Sequence, residues 1–232
     1  MNSVVPSIRR APLIGTLPLD VQTELEQSGE EKVYRRRQMI FMADQRNEYV
    51  YLLSSGRVKL TRVSPTGREI TITIVNPMEF FGEASLFDSG AQYGMTAEVL
   101  EDAEVYVFRR NELAAAVGQC PDSLRELVTI QSARRIQAEN RLTELVFCDV
   151  PTRVARLLSR LAASHGRTAK GGSMIRIKLT HHEIANLIGS TRETTTLVLN
   201  DFRKRGLIEI QGRRIIIVDH DALKGLTIQQ AG

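Results

Sequence analysis

The chain of 232 residues is long enough for two ordinary domains, and its 42% of hydrophobic residues excludes a disordered protein. Its two cysteines, Cys120 and Cys148, form no Cys-x-x-Cys motif, so we expect no disulfide, no metal site and no cysteine-bound cluster. The sequence has neither a secretory signal nor an apolar run of about 18 residues, the length of a membrane span. We therefore expect a soluble cytoplasmic protein without a membrane partner.

Charge is distributed unevenly along the chain. Residues 151–232 contain 14 Lys and Arg against 6 Asp and Glu, whereas residues 1–150 contain 17 against 21. A basic surface concentrated in one half is what binding to a phosphate backbone requires. The asymmetry predicts two domains with different roles.

The first half changes from a helical to a β-prone pattern. We expect a loose arm over residues 1–12, a short helix within 13–28, and short strands between residues 33 and 108. Turn signals separate these strands at residues 54–56, 64–67, 76–77 and 88–90. Their regular spacing predicts a small antiparallel barrel or sandwich.

Residues 80–94 interrupt the alternation of the predicted strands. The pattern indicates a short helix followed by a glycine-rich connector. The N-terminus of such a helix offers free N–H groups to an anion, although a packed connector explains the same residues.

A long helix is predicted over residues 122–147, after a shorter one over residues 111–117, and Pro121 and Asp122 signal its start. Its apolar residues fall on two sides, with Leu124, Val128, Ala138, Leu142 and Leu145 on one and Leu127, Ala133 and Ile136 on the other. Such a helix can pack on the barrel and on a copy of itself, although Gln131, Arg134 and Arg135 prevent a strict heptad. Asp149 then caps a predicted helix over residues 152–164, which a loop (165–173) and a strand (174–179) follow.

Residues 180–205 predict two helices joined by a tight turn. Residues 184–188 give the first helix an apolar face, and Gly189 ends it because glycine adopts a positive φ without strain. Thr191 caps the second helix, whose inner stripe consists of Thr195, Val198, Leu199 and Phe202. In a helix-turn-helix, the second helix enters the major groove of DNA and its N-terminal side chains contact base edges.

A β-hairpin is predicted after this helix pair. Two β-rich runs, 207–210 and 213–218, flank Gln211 and Gly212, and Arg213 and Arg214 at the tip are placed to contact phosphate. A helical hairpin alone is common in proteins that bind no DNA. The basic wing beside it favours a winged helix-turn-helix that binds double-stranded DNA.

The complete arrangement resembles the cyclic-AMP receptor protein/FNR family of bacterial transcription regulators over nearly the whole chain. The most specific motifs are Phe-Gly-Glu at residues 81–83, Ala-Arg-Arg at 133–135 and Ser-Thr-Arg-Glu-Thr at 190–194. The resemblance implies an α+β fold with a sensor domain (1–120) that is an antiparallel β-roll, or cupin-like jelly roll. A dimerisation helix (121–148) and a winged helix-turn-helix domain (149–232) would follow.

The resemblance also implies partners and the residues that bind them. A homodimer would form along the long helix through Val128, Ser132 and Ile136, bind a near-palindromic operator and contact RNA polymerase. Arg192 and Glu193 match the family's base-reading positions, whereas Leu197 stands where the cyclic-AMP receptor protein has another base-reading Arg. The residues predicted to contact DNA are His181, Thr191, Arg192, Glu193, Thr195, Thr196, Asn200, Arg203, Arg213 and Arg214.

The predicted effector pocket departs from the family members that bind cyclic AMP. Those members hold the cyclic phosphate with an Arg-Ser pair, which aligns with Tyr93 and Gly94, and Glu139 aligns near the adenine-contacting residues. The predicted pocket consists of Gly82, Glu83, Tyr93, Gly94 and Glu139. We expect it to be vestigial or changed to another small effector, without cyclic AMP or a cofactor. The sequence lacks the cysteines of an iron–sulfur sensor, and its four histidines follow the barrel, which disfavours haem.

Two other classes of function compete with a transcription regulator. A cyclic-nucleotide-binding regulatory subunit of an enzyme or channel would share only the barrel, and the complete winged helix argues against it. A nucleotide-processing enzyme would need a catalytic constellation, and His181 and His182 are adjacent rather than four residues apart as in a zinc motif. We therefore predict a DNA-binding regulator and not an enzyme.

Overall fold

The computed structural model describes residues 8–88, 90–169 and 171–228, which form two compact units. The first unit ends at Gln137 and the second begins at Ala138. The predicted domain boundaries leave the long helix as a separate segment, whereas these units divide it, so those boundaries remain a prediction.

The first unit consists of a β-sheet with helices before and after its strands in the sequence. The helices are α1 (Pro12–Gly15), α2 (Leu19–Ser28), α3 (Arg110–Gly118) and most of α4 (Pro121–Phe147), after a 3₁₀ turn (Ile8–Arg10). The strands are β1 (Glu30–Tyr34), β2 (Met39–Phe41), β3 (Tyr49–Val63), β4 (Glu69–Val75), β5 (Phe80–Phe81) and β6 (Thr96–Arg109). The sheet has the antiparallel order β1-β6-β3-β4, with β2 also paired to β6 and β5 to β3.

The two long strands, β3 and β6, supply residues to two separate cores. Successive residues of a strand point to opposite faces of its sheet. Val50 and Leu52 pack with apolar residues of α1 to α4. Tyr51 and Leu53 pack in a second cluster with residues of β2, β4, β5 and β6. This alternation explains why a small antiparallel sheet can support helices on one face and enclose a core on the other.

The turn predicted at residues 54–56 is absent, because β3 continues through it. The pairing of β3 with β6 shifts register around Ser55 and Arg57, as in β-bulges. Gly56 has φ 85°, and a Cβ on it would lie 2.2 Å from the carbonyl oxygen of Asp102. Glycine is therefore required there by a bulge and by close backbone approach, not by a hairpin turn.

Two further predictions for the first unit are wrong. Residues 82–88 form consecutive turns in place of the predicted short helix, with Leu86 N donating to Glu83 O and Asp88 N to Ser85 O. A single turn does not offset the cost of helix nucleation, so the anion site at that helix N-terminus is lost as well. Ile8 and Ala11 are buried, so residues 8–12 are not a loose arm, while residues 1–7 lie outside the described ranges.

The second unit consists of helices around a four-stranded sheet. After the last turns of α4 it contains α5 (Val150–His165), β7 (Gly166–Ala169), β8 (Gly172–Ile175), α6 (His181–Ile188), α7 (Arg192–Lys204), β9 (Ile208–Gln211), β10 (Arg214–Ile217) and α8 (His220–Ile228). The antiparallel sheet has the order β7-β8-β10-β9. Asp149 caps α5 as predicted and accepts a hydrogen bond of 2.9 Å from Thr152 N.

Two features of the second unit differ from the sequence prediction. The loop predicted over residues 165–173 is largely a hairpin of β7 and β8, and β8 ends at Ile175 rather than at residue 179. The helix α8 was not predicted, and it contacts α5, where the Thr152 hydroxyl donates to the Leu226 carbonyl. No helix in the described ranges combines the length and apolar character that crossing a lipid bilayer requires.

The bulge at Gly56 leads to a stability prediction with a matched control. Gly67 also has a positive φ (81°), but a Cβ there would meet no atom within 4 Å. We expect Gly67→Ala to lower the free energy of unfolding by about 1–2 kcal/mol through backbone strain alone. Gly56→Ala adds a backbone clash and should cost more than about 3 kcal/mol. Urea unfolding followed by circular dichroism measures both, and equal losses would contradict the assignment of the bulge.

Candidate nucleic-acid interface and effector site

The geometry of the α6–α7 pair follows from its caps. Thr180 and Glu183 form a capping box at the start of α6. Gly189 ends α6 in the left-handed conformation, with φ 65° and ψ 41°. Thr191 caps α7 by accepting a hydrogen bond of 3.2 Å from Thr194 N. The predicted helix-turn-helix is therefore present, and local residues set the angle at which α7 begins.

The helix α7 has a buried and an exposed face. Thr195, Leu199 and Phe202 are at most 1% exposed. The Thr195 hydroxyl donates to the Thr191 carbonyl at 2.8 Å, so the prediction that Thr195 contacts DNA is wrong. The opposite face carries Glu193, Leu197, Asn200 and Lys204, whose spacings of three and four residues place them in one row.

The first turn of α7 presents the predicted base-reading side chains to solvent. Arg192 and Glu193 are both exposed, directly after the N-cap. Arg203 is exposed in the last turn, and Asn200 is partly exposed. Lys204 was not among the predicted residues, although its spacing of 11 residues from Glu193 places it on the same face.

His181 links the two helices of the motif. Its Nδ1 lies 2.9 Å from the Thr196 hydroxyl, so both side chains are held at the surface between α6 and α7. Burial, and then the charge of Arg192, lower the pKa of His181. A histidine with a lowered pKa is neutral at physiological pH, and the imidazole acts as a hydrogen-bonding group rather than as a cation.

The predicted wing forms from β9 and β10, joined by a turn with Gly212 at φ 64°. Arg213 and Arg214 are exposed at this turn, whereas Ile215, Ile216 and Ile217 are buried. The Arg213 carbonyl accepts a hydrogen bond of 3.2 Å from Leu179 N, next to the start of α6. The wing therefore presents two cations, and this hydrogen bond holds it beside the residues that lead into α6.

Aromatic side chains fill the core of the first unit where the effector pocket was predicted. The ring of Tyr93 stacks on Phe41 with centroids 3.8 Å apart, and Tyr51 stacks on Phe81 at 5.1 Å. The Tyr93 hydroxyl donates to the Tyr49 carbonyl at 2.9 Å and accepts from Tyr49 N at 3.2 Å. Burial raises the pKa of Tyr93. Tyr93 is therefore a core residue with its hydroxyl satisfied.

The two glycines of the predicted pocket lie at either side of this cluster. Gly82 has φ 79°, and a Cβ on it would lie 3.1 Å from the Tyr93 ring. Gly94 has φ 69° and is exposed, and a Cβ on it would lie 3.7 Å from the guanidinium of Arg62, which is also exposed. Gly82 is thus needed for packing against the ring as well as for its backbone conformation.

The carboxylate of Glu83 is buried and bound by α4. Its side chain is 0% exposed, and its Oε1 accepts hydrogen bonds from Arg134 and, at 2.9 Å, from Gln131 Nε2. Arg134 also donates to the Phe80 carbonyl. The other oxygen, Oε2, has no hydrogen-bond partner among the described residues. Glu139, the remaining predicted pocket residue, is exposed and belongs to the second unit.

A groove of about 600 Å³ lies beside Glu83 in the first unit. Its apolar lining comes from the turn after Glu83 and from α4, and consists of Leu86, Phe87, Leu124, Leu127 and Val128. Gln131, Ser132 and Arg135 supply polar groups. Within the described ranges, no group of three or more His, Cys, Asp or Glu side chains is arranged to hold a metal ion.

The residues predicted for dimer contact lie on the outer side of α4. Val128 and Ile136 are 63% and 49% exposed, and Ser132 is partly exposed. Leu142 and Val146 lie in one row with Val128 and Ser132 and are 63% and 64% exposed, whereas Ile136 lies beside that row. The spacing of residues 128, 132, 135, 139, 142 and 146 alternates between four and three residues, which is the spacing of a coiled-coil seam. Arg135 and Glu139 interrupt its apolar character.

Comparisons with known proteins agree with both units. Residues 31–120 match the cyclic nucleotide-binding domain, and residues 152–226 match the Crp-like helix-turn-helix domain. A CRP-like cAMP-activated global transcriptional regulator of Mycobacterium tuberculosis is 33% identical over 190 residues, which cover 82% of this chain and 84% of that protein. The chain belongs to the CRP/FNR family of transcription regulators.

Other members of the family match over similar lengths. A global nitrogen regulator of Synechococcus elongatus is 31% identical over 211 residues, 90% of each chain. A CRP-family regulator from Thermus thermophilus is 26% identical with a TM-score of 0.73, covering 87% of this chain and 98% of that one. FixK2 of Bradyrhizobium japonicum, 24% identical with a TM-score of 0.76 over 88% and 99%, shows the fold alone. The predicted fold class and the prediction of a DNA-binding transcription regulator are confirmed.

Proposed function

We propose that this CRP/FNR regulator acts as a homodimer that binds a near-palindromic operator without needing cyclic AMP. The observation that carries the proposal is the exposed first turn of α7, in which Arg192 and Glu193 follow the N-cap, whereas Leu199 and Phe202 are buried later in the helix. An arginine donates in a bidentate manner to guanine O6 and N7, and a glutamate accepts from cytosine N4. Together they match a G·C-containing half-site.

The other exposed side chains of the second unit have positioning roles in the proposal. Arg213 and Arg214 of the wing contact phosphates, and His181 and Thr196 hold the start of α6 against α7 while facing the DNA backbone. Contacts to phosphates fix the register of a protein on DNA without selecting a sequence. Affinity from the wing is therefore expected to depend on salt and not on the operator.

The dimer in this proposal forms along the outer side of α4. Val128, Leu142 and Val146 expose apolar surface at coiled-coil spacing, with Ile136 exposed beside this row, and a second copy of the helix removes this surface from water. A seam residue in a two-fold parallel pair meets its own copy, so Arg135 and Glu139 weaken the apolar contact at their two positions. Two copies of α7 related by a two-fold axis then meet two half-sites.

A contact with RNA polymerase and a location in the cytoplasm complete the proposal. Both follow from what members of this family do as regulators of transcription, since the operator and the polymerase share that compartment. Neither rests on a particular side chain of this chain.

The homodimer and its operator are tested together by footprinting. Purified full-length protein should protect two half-sites whose centres are about one helical turn, or 34–36 Å, apart. Sedimentation under the same conditions should give a dimer. A monomeric protein that protects a single isolated half-site would contradict the proposal, and Leu142→Glu, which places a charge in the seam, serves as the monomeric control.

Substitutions of Arg192 and of Arg213 are expected to weaken DNA binding in different ways. Arg192→Ala removes a bidentate base contact and should cost about 1–3 kcal/mol per half-site, with relaxed preference at one base pair. Arg213→Ala should weaken cognate and random DNA alike and reduce the dependence of affinity on salt. Gel shifts with cognate and random duplexes at several salt concentrations separate the two. If Arg192→Ala weakens both duplexes equally, Arg192 does not contact a base.

Independence from cyclic AMP is proposed from the aromatic core of the first unit. A phosphate transferred from water into this core would lose hydration, and Tyr93 offers it only a hydroxyl that Tyr49 already occupies. The guanidinium of Arg62 near Gly94 is exposed to solvent and does not lie in this core. An unpaired buried charge costs about 3–5 kcal/mol, which is roughly a thousandfold in affinity. The rings of Phe41 and Tyr93 would also have to separate before any ligand entered between them.

A titration of operator with protein, with and without millimolar cyclic AMP, tests this independence. One relative is named as cAMP-activated, so cyclic AMP is the first effector to test. We expect identical operator affinities and an unchanged melting temperature of the protein. A ligand that does not bind the folded protein neither stabilises it against unfolding nor shifts it between conformations. A tenfold tighter operator complex at micromolar cyclic AMP would overturn this part of the proposal.

A regulatory module that responds to a different small effector is the second candidate function. It is favoured by the groove beside Glu83, where a buried carboxylate oxygen has no partner among the described residues. Because the Glu83 side chain is 0% exposed, a ligand with a hydroxyl or amino group would reach that oxygen only after the turn beside it moves, and an apolar body would then cover Leu127 and Val128. Thermal-shift profiling of the purified protein against small metabolites, with Glu83→Gln as the control, distinguishes this candidate from a regulator without an effector.

A further inference from the structure

The exposed face of α7 has a large apolar side chain at its centre. Leu197 is 71% exposed and follows Glu193 by one helical turn. Along α7, all of whose residues are described, it is the one large hydrophobic side chain with high exposure. The polar residues around it are Glu193, Asn200 and Lys204, which occupy the same row. A leucine therefore stands where the helix would meet the floor of the major groove.

Exposure alone does not assign a role, because single exposed leucines are common on protein surfaces. Two observations distinguish Leu197. It shares its face with the first-turn carboxylate of Glu193, which places it toward the bases if α7 enters the groove. The polar side chains nearest in sequence are already engaged, since Thr195 bonds the Thr191 carbonyl and Thr196 bonds His181. Neither of these two threonines is therefore free to offer a base a hydrogen bond in place of Leu197.

We propose that Leu197 selects a thymine in each half-site by packing on its C5-methyl group. The major groove presents one apolar group, the thymine methyl, and apolar side chains discriminate A·T from other pairs through it. Leu197 has no donor for guanine or acceptor for cytosine, so either base at this pair would lose hydration without a partner. Glu193 one turn earlier reads its own base pair, and Leu197 reads a neighbouring one. This inference rests on the proposed base-reading role of α7.

The methyl group can be removed from the DNA without changing base pairing. Duplexes recovered by the wild-type protein from a randomised pool are resynthesised with uracil in place of thymine, at one pair of symmetric positions at a time. Burial of one methyl group corresponds to about a fourfold change in affinity, or roughly fifteenfold for two half-sites. We expect one symmetric pair of thymines to show a loss of this size, measured by fluorescence anisotropy with wild-type protein.

Variants of the protein show whether Leu197 is the residue that senses the methyl. Leu197→Ala should bind the thymine duplex about as weakly as wild type binds the uracil duplex, and should no longer distinguish the two. Lys204 lies on the same face, so Lys204→Ala is the matched control. This variant should bind DNA less tightly overall and retain the full uracil penalty. Leu197 is exposed, so its truncation should leave the melting temperature unchanged.

The outcomes separate this inference from the proposed function. Specific recovery of an operator with no uracil penalty at any thymine, or with the same penalty in Leu197→Ala, overturns the role of Leu197 while leaving the operator-binding proposal intact. A failure to enrich any sequence from the pool contradicts base reading by α7 altogether. A penalty of the expected size that disappears only in Leu197→Ala supports the inference.

Discussion

The buried carboxylate of Glu83 is the group on which the arrangement of the first unit depends. Moving a charge out of water is costly, and removal of one partner of a buried pair commonly destabilises a protein by about 3–5 kcal/mol. Arg134 and Gln131 together satisfy one oxygen of Glu83, and Arg134 also bonds the Phe80 carbonyl. Because these groups lie on β5, the following turn and α4, the ion pair ties the helix to the end of β5, beside the apolar contacts that Leu127 makes.

The same contacts connect the β-sheet of the first unit to α4, the helix that continues into the second unit. Strand β5 is only two residues long and pairs with β3 at Tyr51 and Leu52. It carries Phe81 into the aromatic cluster and, one residue further, Gly82 against the Tyr93 ring. A change in the packing of these rings would therefore displace Glu83 and alter its hydrogen bonds to α4.

Local signals allowed much of the DNA-binding unit to be predicted from sequence. Gly189, Thr180 and Thr191 specify the ends of two helices through interactions within a few residues, and such interactions are visible in a sequence. The prediction for Thr195 follows from its closeness to the first turn of α7, whereas the helical phase decides its burial. Its position four residues after Thr191 places it on the side of Leu199, where it is buried.

Predictions failed where distant parts of the chain decide the structure. The glycine and serines at residues 54–56 have the composition of a turn, but a β-bulge uses the same residues, and the pairing of β3 with β6 decides between them. The stacking of Tyr93 on Phe41 joins residues 52 positions apart, so the sequence indicated only that a cation was missing there. The burial of Glu83 likewise depends on α4, which follows it by 48 residues at Gln131.

The self-filled aromatic core has a consequence for how the protein persists in a cell. A sensor with an empty ligand cavity gains stability in proportion to the logarithm of the ligand concentration, so its folded fraction falls when the ligand is scarce. Phe41, Tyr51, Phe81 and Tyr93 pack against one another in this core. Proteases degrade mainly molecules that have opened, and closure of this core needs no metabolite. If the proposed independence from cyclic AMP holds, the lifetime of the regulator should stay the same through changes in nutrition that alter the level of cyclic AMP.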